Sequence, residues 1–336
     1  MPIMSGSQSS HPLDLAARRE ILSGGVKIER TPLLVPSFSS RVPEIEKVFR
    51  TCEEFIDGPL LVSAYDIAKG HLLPPYDFGS LVFLDSGGYE VSRDPDLADV
   101  SSYEPLTEDW SQKEHEEVLQ SWKPSVPTVV VSYDHPRHRY PIEEQIERGK
   151  ALRWPDRAVR ELLLKPENSR QRFIQLEAVL GHAKDLGKFD IIGVTEKEIG
   201  NSVLERMKNI AKLRMALRQN GLETPIHVFG SMDTITTLFY FVVGADIFDG
   251  LTWLRYAFKD GNTLYRQNYG ALELGLSTKA PMIEALCWSR NDHYLRDMEL
   301  EMRRFLVGRD FETFKHHGER LAVAYKTIEE ELEDNK

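Results

Sequence analysis

Three aspartates follow short apolar runs, and they are the residues of this sequence best suited to chemistry. Asp85 follows Leu-Val-Phe-Leu, Asp134 follows Val-Val-Val-Ser-Tyr, and Asp249 follows Ala-Asp-Ile-Phe. A carboxylate at the edge of an apolar interior, or beside another carboxylate, has a shifted pKa, which suits general acid-base or nucleophilic catalysis. Each aspartate alone could equally be a helix cap or a turn residue. Three together favour one shared site.

A pair of glycines and a tyrosine come directly after the first of these aspartates, in the run Asp85-Ser86-Gly87-Gly88-Tyr89. Adjacent glycines let the backbone approach a flat ligand closely. The tyrosine offers an aromatic face on which such a ligand can stack. A Gly-Gly pair after a strand is common by itself, so the prediction of a ligand site depends on its combination with the aspartate and the tyrosine.

The elements that would position these residues are short apolar runs bounded by turn residues, with helical periodicity between most of them. This alternation is typical of parallel βαβ units. Eight such units predict a (β/α)₈ barrel, in which the loops after the carboxyl ends of the strands build the active site. The eight runs are Leu33 to Pro36, Pro59 to Ala64, Ser80 to Asp85, Pro127 to Asp134, Glu161 to Lys165, Phe189 to Val194, Pro225 to Gly230 and Gly244 to Asp249.

The periodicity between the strands predicts helices over Val42 to Phe55, Asn168 to Leu186 and Val203 to Leu217, with a further helix starting near Thr107. Ser92 to Leu106 is rich in Asp, Ser and Pro and predicts a long loop.

Two amphipathic segments, Pro281 to Val307 and Phe311 to Glu331, predict helices after the barrel, and His316 and His317 are expected at their surface. The predicted organisation is a leader with the first hairpin strand over residues 1–24, a barrel over 25–280 and a helical segment over 281–336.

Composition narrows the class of protein. The chain has 336 residues, 41% of them hydrophobic and 28% charged, which is ordinary for a soluble globular protein. Cys52 and Cys287 are its two cysteines and have no Cys-x-x-Cys spacing, so a disulfide framework and a cysteine zinc site are not indicated, and a cytoplasmic location is expected. No run approaches the roughly 18 apolar residues of a membrane helix.

The net charge of −11 argues against a broadly basic nucleic-acid-binding surface but leaves room for a local basic patch. The basic residues after the fourth apolar run could form a rim that faces phosphates, or simply a solvated helix face, which is the better-supported reading. They are Arg137, His138, Arg139, Arg148, Lys150, Arg153 and Arg157. His135 and His138 lie close in sequence without a third ligand at suitable spacing, so no metal site is predicted.

Several motifs, taken in their order along the chain, point to one family. They are Gly25-Val-Lys-Ile-Glu-Arg-Thr31-Pro32-Leu-Leu-Val-Pro36, Asp85-Ser-Gly-Gly-Tyr89, Tyr133-Asp134, Val228-Phe-Gly230, and Phe248-Asp249-Gly250 followed by Arg255 and Gly261. Over roughly residues 25–261 this pattern resembles the tRNA-guanine transglycosylase family, whose members exchange a guanine base for a 7-deazaguanine.

The resemblance implies a role for each matching residue. Asp249 would be the nucleophile that forms a covalent glycosyl-enzyme, and Asp85 the general acid-base. Tyr89 would stack on a purine flipped out of its helix, and Asp134 would accept hydrogen bonds from guanine N1–H and its exocyclic amine. Ser86, Gly87, Gly88, Lys165 and Gly230 would line the base pocket, and Arg255 would contact a backbone phosphate. The scheme needs no cofactor or metal.

The chain also departs from the family pattern. Glu90 stands where Gln is usual, Lys165 where a base-reading Gln is expected, and Thr195-Glu196-Lys197 where a Gly-Leu wall is expected. The cysteine-and-histidine zinc motif that should follow Gly261 is missing. These differences favour the family's DNA-modifying branch slightly over a tRNA enzyme, with a base such as 7-cyano-7-deazaguanine as the incoming group.

Two other functions stay open. One is an N-glycosidic hydrolase that releases guanine, which Lys165 at a base-reading position allows. The other is a non-catalytic partner subunit, although such a subunit would have no need of two carboxylates in one cavity, where burying charge costs free energy. A homodimer or a complex with a partner protein is compatible with each of these functions, and no membrane association is expected.

Overall fold

Eight parallel strands form the barrel that the alternating pattern predicts. The computed structural model describes residues 13–92, 97, 109–123, 125–135 and 138–334. The barrel strands are β3 (Leu33–Pro36), β4 (Pro59–Ser63), β5 (Leu81–Asp85), β6 (Thr128–Val131), β7 (Val159–Leu164), β8 (Ile191–Thr195), β9 (Ile226–Phe229) and β10 (Ile247–Gly250). They pair in the order β3-β10-β9-β8-β7-β6-β5-β4. A parallel bridge between Ser37 and Leu61 nearly closes the ring, so the chain is an α/β protein with a (β/α)₈ TIM barrel.

The strands are shorter than several of the apolar runs. In the fourth run the strand ends at Val131, and Asp134 therefore lies in the loop three residues beyond it. In the second run Ala64 already begins a helix, because the Ser63 hydroxyl caps that helix by accepting the Asp66 N–H. These boundaries matter because they decide whether a side chain lies within the barrel wall or above it.

Helices connect the strands on the outside of the barrel. They are α1 (Ile45–Cys52), α2 (Ala64–Ala68), α3 (Gly88–Val91), α4 (Gln112–Ser121), α5 (Ile142–Ala151), α6 (Leu176–Gly181), α7 (Ala183–Leu186), α8 (Val203–Gln219) and α9 (Thr236–Val242). Helix α4 begins with a capping box in which Ser111 and Glu114 satisfy each other's backbone N–H groups. The helix start expected near Thr107 and most of the loop expected over Ser92 to Leu106 lie outside the described residues.

The helix predicted over Asn168 to Leu186 is wrong in its first half. The backbone there is irregular, and the Ile174 N–H donates to the Glu198 carbonyl 2.9 Å away in the next loop. Helix α6 begins only at Leu176, and His182 separates it from α7. A tertiary hydrogen bond thus overrides a periodicity that is compatible with a longer helix.

The described elements before β3 and after β10 pack against the barrel, and those before β3 lie at the amino ends of its strands. An antiparallel hairpin, β1 (Glu20–Ser23) and β2 (Val26–Arg30), precedes the barrel, and its Ile21 packs with first residues of the barrel strands such as Leu33 and Leu81. The remaining elements follow β10. They are α10 (Thr252–Arg255), a hairpin of β11 (Ala257–Lys259) and β12 (Asn262–Leu264), α11 (Arg266–Tyr269), a π-helical turn (Gly270–Leu274), α12 (Ala280–Gly308), a 3₁₀ turn (Phe311–Thr313) and α13 (Gly318–Glu333).

His317 does not lie at the surface as expected. It is only 6% exposed, and its Nε2 lies 2.8 Å from the Gly261 carbonyl oxygen. Within the part of the chain that the structure describes, none of the helices combines the length and the apolar character needed to span a bilayer.

Candidate active site

The three aspartates line one cavity at the carboxyl end of the barrel. Asp85 is the last residue of β5, Asp249 lies in β10, and Asp134 lies in the loop after β6. The cavity has an empty volume of about 800 Å³ including its open mouth. Parallel strands bring their carboxyl ends to the same edge, which explains why residues so distant in sequence meet here.

Asp249 is held by donors on both of its carboxylate oxygens. The Ser37 hydroxyl donates to Oδ2 over 2.7 Å, and the Gly230 N–H donates to Oδ1 over 3.0 Å. His227 Nε2 lies 3.3 Å from the same Oδ1, which is an ion-pair distance. The carboxylate is only 6% exposed, so its orientation towards the cavity is fixed by its neighbours.

A buried histidine and glutamate lie behind Asp249, and the sequence analysis missed both. His227 Nδ1 is 2.8 Å from Glu161 Oε1, and neither residue is exposed. Burial alone would lower the pKa of His227, but Glu161 and Asp249 outweigh it and raise that pKa to about 9. Burial raises the pKa of Glu161 above its usual range, while the neighbouring imidazole opposes the rise. The sequence does contain a signal for the histidine, because His227 is a polar residue inside the otherwise apolar run Pro225 to Gly230.

Asp85 is a buried carboxyl group whose pKa lies near neutral pH. Burial, followed by the nearby charges of Asp134 and Asp249, raises its pKa to about 7. The Gly87 N–H donates to its Oδ2 over 3.3 Å and partly opposes this effect. A carboxyl group with this pKa can both donate and accept a proton near pH 7.

Asp134 faces the cavity beside a cation. Burial would raise its pKa, but Lys165 and the Ser86 hydroxyl outweigh burial and lower it. Lys165 Nζ is 3.7 Å from Asp134 Oδ2, and the Ser86 hydroxyl donates to Oδ1. A side chain at position 88 would collide with this carboxylate, which explains why a glycine stands there.

Lys165 is in turn paired with an acid that the sequence analysis did not identify. Its Nζ lies 2.7 Å from Glu198 Oε2, and Arg139 Nη2 lies 3.3 Å from Glu198 Oε1. All three residues line the cavity together with Thr195. The wall opposite Asp249 is therefore a network of alternating charges rather than a neutral surface.

Tyr89 is held at the cavity by two arginines. The Arg41 guanidinium lies 3.9 Å from the centre of its ring, and Arg255 Nη2 donates to its hydroxyl over 3.2 Å. Arg255 thus lies beside the cavity, where the sequence analysis expects a phosphate contact.

Most of the residues that depart from the family pattern line the cavity, namely Glu90, Lys165, Thr195 and Lys197, whereas Glu196 does not. Glu90 is 3% exposed and accepts from the Ser39 hydroxyl over 2.6 Å, and burial followed by Asp66 and Asp85 raises its pKa well above the usual range. Lys197 also lines the cavity.

Glu196 is turned away from the cavity, so its inclusion in the pocket wall was wrong. It accepts from the Tyr240 hydroxyl over 2.8 Å and pairs with Arg206 at 3.5 Å. The 3₁₀ turn Glu196–Glu198 explains this difference, because its successive side chains point in different directions.

The basic residues after β6 do not form one rim. Arg139 points into the cavity, while Arg148 and Lys150 each pair with a glutamate of their own helix. Arg153 and Arg157 line a separate groove beside Pro127 and Ala158, where β6 and β7 begin. Arg137 lies outside the described residues.

His135 and His138 stack on each other with ring centres 4.0 Å apart. Across the described residues, His, Cys, Asp and Glu side chains nowhere gather in threes with metal-binding geometry.

The fold and the site together define a (β/α)₈ barrel with a cavity lined by carboxylates at its carboxyl face. Comparison of the sequence with models of protein families and with curated proteins found no match.

Proposed function

We propose that this chain is a base-exchange transglycosylase that replaces guanine in a nucleic acid with a 7-deazaguanine such as 7-cyano-7-deazaguanine. The observation that carries the proposal is the pairing of two carboxyl groups with different surroundings in one cavity. Asp249 is fixed by donors from Ser37 and Gly230, whereas the pKa of Asp85 is raised to about 7. Two carboxyl groups with surroundings this different can serve as a nucleophile and as an acid-base.

The first half-reaction removes guanine. An Asp249 oxygen attacks the anomeric carbon of the sugar, the N-glycosidic bond breaks, and its electron pair leaves with the base. Asp85 donates a proton to the departing guanine. In the second half the incoming base returns a proton to Asp85, its nitrogen attacks the anomeric carbon, and Asp249 is released. Protons and charges balance over the cycle.

The charged wall of the cavity would recognise the base. Asp134 accepts hydrogen bonds from N1–H and the exocyclic amine of guanine, and Lys165, 3.7 Å from that carboxylate, donates to the neighbouring carbonyl oxygen. Tyr89 would stack on the flipped base, and Arg255 would hold a flanking phosphate.

We favour DNA over tRNA as the polymer and the cytoplasm as the place of reaction. Lys165 and Lys197 place positive charges in this wall, whereas a neutral wall is expected of a tRNA enzyme. A homodimer or a partner protein remains compatible with this function.

The test is release of radiolabelled guanine from duplex DNA and from tRNA, each with and without 7-cyano-7-deazaguanine. Base exchange requires the incoming base and leaves an intact, modified strand, as mass spectrometry of the nucleosides would show. Release without the incoming base, together with abasic sites, would identify a hydrolase instead. Absence of release from both polymers would contradict the proposal and favour a non-catalytic subunit.

Replacing Asp134 with alanine should weaken binding of guanine. Loss of a buried polar contact costs about 1–3 kcal/mol, so KM should rise both for the nucleic acid and for the incoming base. Asp190→Ala is a matched control, because that carboxylate pairs with Arg160 at the start of β8, away from the cavity. An unchanged KM in Asp134→Ala would rule out this role.

A further inference from the structure

A buried acid-histidine chain lies directly behind Asp249, and no step of the proposed reaction uses it. His227 Nδ1 lies 2.8 Å from Glu161 Oε1, and His227 Nε2 lies 3.3 Å from Asp249 Oδ1. The imidazole thus connects two carboxylates that come from different strands of the barrel. Only the Asp249 end of this chain reaches the cavity.

The barrel interior is shaped around this histidine. The Phe229 ring stacks on it with centres 3.9 Å apart and lines the cavity, and Phe83 contacts it edge-on at 5.5 Å. On β8 a Cβ at Gly193 would lie 2.6 Å from Phe229 and 2.8 Å from Glu161 Oε1. Phe229 therefore covers His227 on the cavity side, and only a glycine at position 193 leaves room for Phe229 and Glu161.

The charges that face His227 are those of Glu161 from β7 and Asp249 from β10, while the facing rings of Phe83 and Phe229 are uncharged. A buried carboxylate without a partner would take up a proton. An imidazolium between two carboxylates leaves one net negative charge, which lies at the Asp249 end beside the cavity.

We propose that His227 is a positioning residue for Asp249: as an imidazolium held by Glu161, it keeps the Asp249 carboxylate ionised and directed at the cavity. Its value for base exchange rests on the proposed function. The positioning itself is a property of the protein without substrate and can be measured separately.

The charge arrangement suits both halves of the exchange. When Asp249 forms its bond to the sugar it loses its negative charge, and His227 and Glu161 then remain as a neutral ion pair, so no unpaired charge is left buried. When the incoming base displaces Asp249, the imidazolium stabilises the carboxylate that is released. No proton needs to leave His227 in either half.

The first experiment is NMR of the substrate-free protein labelled with ¹⁵N-histidine and ¹³C-carboxyl aspartate. Both ring nitrogens of His227 should carry protons at pH 7.5 and lose one near pH 9. In His227→Asn the ¹³C-carboxyl signal of Asp249 at pH 7.5 should move away from its wild-type position, because the carboxylate loses the imidazole nitrogen that lies 3.3 Å from its Oδ1. Glu161→Gln keeps the ring and its packing and should give a smaller shift in the same direction.

His115→Asn is the matched control, because His115 is equally buried but contacts the rings of Trp110 and Tyr133. It should leave the carboxyl signal of Asp249 unchanged. A neutral His227 at pH 7.5, or an Asp249 carboxyl signal that is the same in the wild-type protein and in Glu161→Gln, would overturn the proposal even if His227→Asn fails to fold.

The second experiment is the pH profile of kcat/KM. His227→Asn should change the shape of this profile, whereas a purely structural role would lower the rate equally at every pH. If the NMR shifts appear but the wild-type protein exchanges no base, the proposed function is wrong and the positioning role stands. If exchange occurs without the shifts, only the positioning role is refuted.

Discussion

Replacing Asp249 with asparagine is expected to abolish base exchange and the trapping of a covalent complex, with a loss of about 10⁴-fold or more in kcat. An amide cannot form the glycosyl ester. It also has a single acceptor oxygen, whereas the carboxylate accepts from Ser37 on one oxygen and from Gly230 on the other. One donor would therefore meet an NH₂ group, and a modest decrease in melting temperature should accompany the loss of activity.

Ser37→Ala separates the nucleophile from its surroundings. This variant keeps the Asp249 carboxylate and removes one of its hydrogen bonds, together with the bond that Ser37 accepts from the Gly250 N–H. Its activity should fall only by about tenfold, in line with a loss of about 0.5–1.5 kcal/mol for the contact to Asp249. Denaturing electrophoresis with labelled DNA or tRNA measures the covalent complex. Turnover of Asp249→Asn within tenfold of the wild-type protein, with mass spectrometry excluding deamidation to aspartate, would remove Asp249 as the nucleophile.

The barrel could be predicted because its strands are buried on both faces and therefore read as continuous apolar runs. Asp85 and Asp249 were recognisable for the same reason, since a charged residue that closes such a run lies at or near the end of a strand. The sequence could not indicate which residues inside a run face the barrel interior. Which residues face inward depends on strand register and twist. The contact between Glu161 and His227 could therefore not be predicted.

The loops above the barrel were harder to predict because their direction is set by tertiary contacts. Glu196 and Lys197 are neighbours in sequence, yet one packs against Tyr240 and the other faces the cavity. Ser37 and Glu198 have no distinctive sequence context, and only their positions after β3 and β8 bring them to the site. A polar residue in such a loop can be assigned to the cavity only when its backbone is known.

The pH dependence of the wild-type reaction should report directly on Asp85. Burial, then Asp134 and Asp249, raises its pKa to about 7, so below this pH the group is protonated and can donate to the departing guanine. As pH rises through about 7 that proton is lost, and the single-turnover rate of guanine release should fall. Acceptance of a proton from the incoming base has the opposite dependence, so the complete exchange should be fastest near neutral pH.

Asp85→Asn should slow guanine release by about 10²–10⁴-fold and remove the inflection near pH 7, because an amide of the same shape neither donates nor accepts this proton. Asp134→Asn provides the matched comparison. It retains Asp85 but removes the negative charge of Asp134, one of the influences that raise the Asp85 pKa, so the inflection should remain and move to lower pH. Rapid-quench measurements between pH 5 and pH 9 would test both variants. An inflection that persists unchanged in Asp85→Asn would assign the titrating group to another residue. An inflection that does not move in Asp134→Asn would show that Asp85 and Asp134 are not electrostatically coupled.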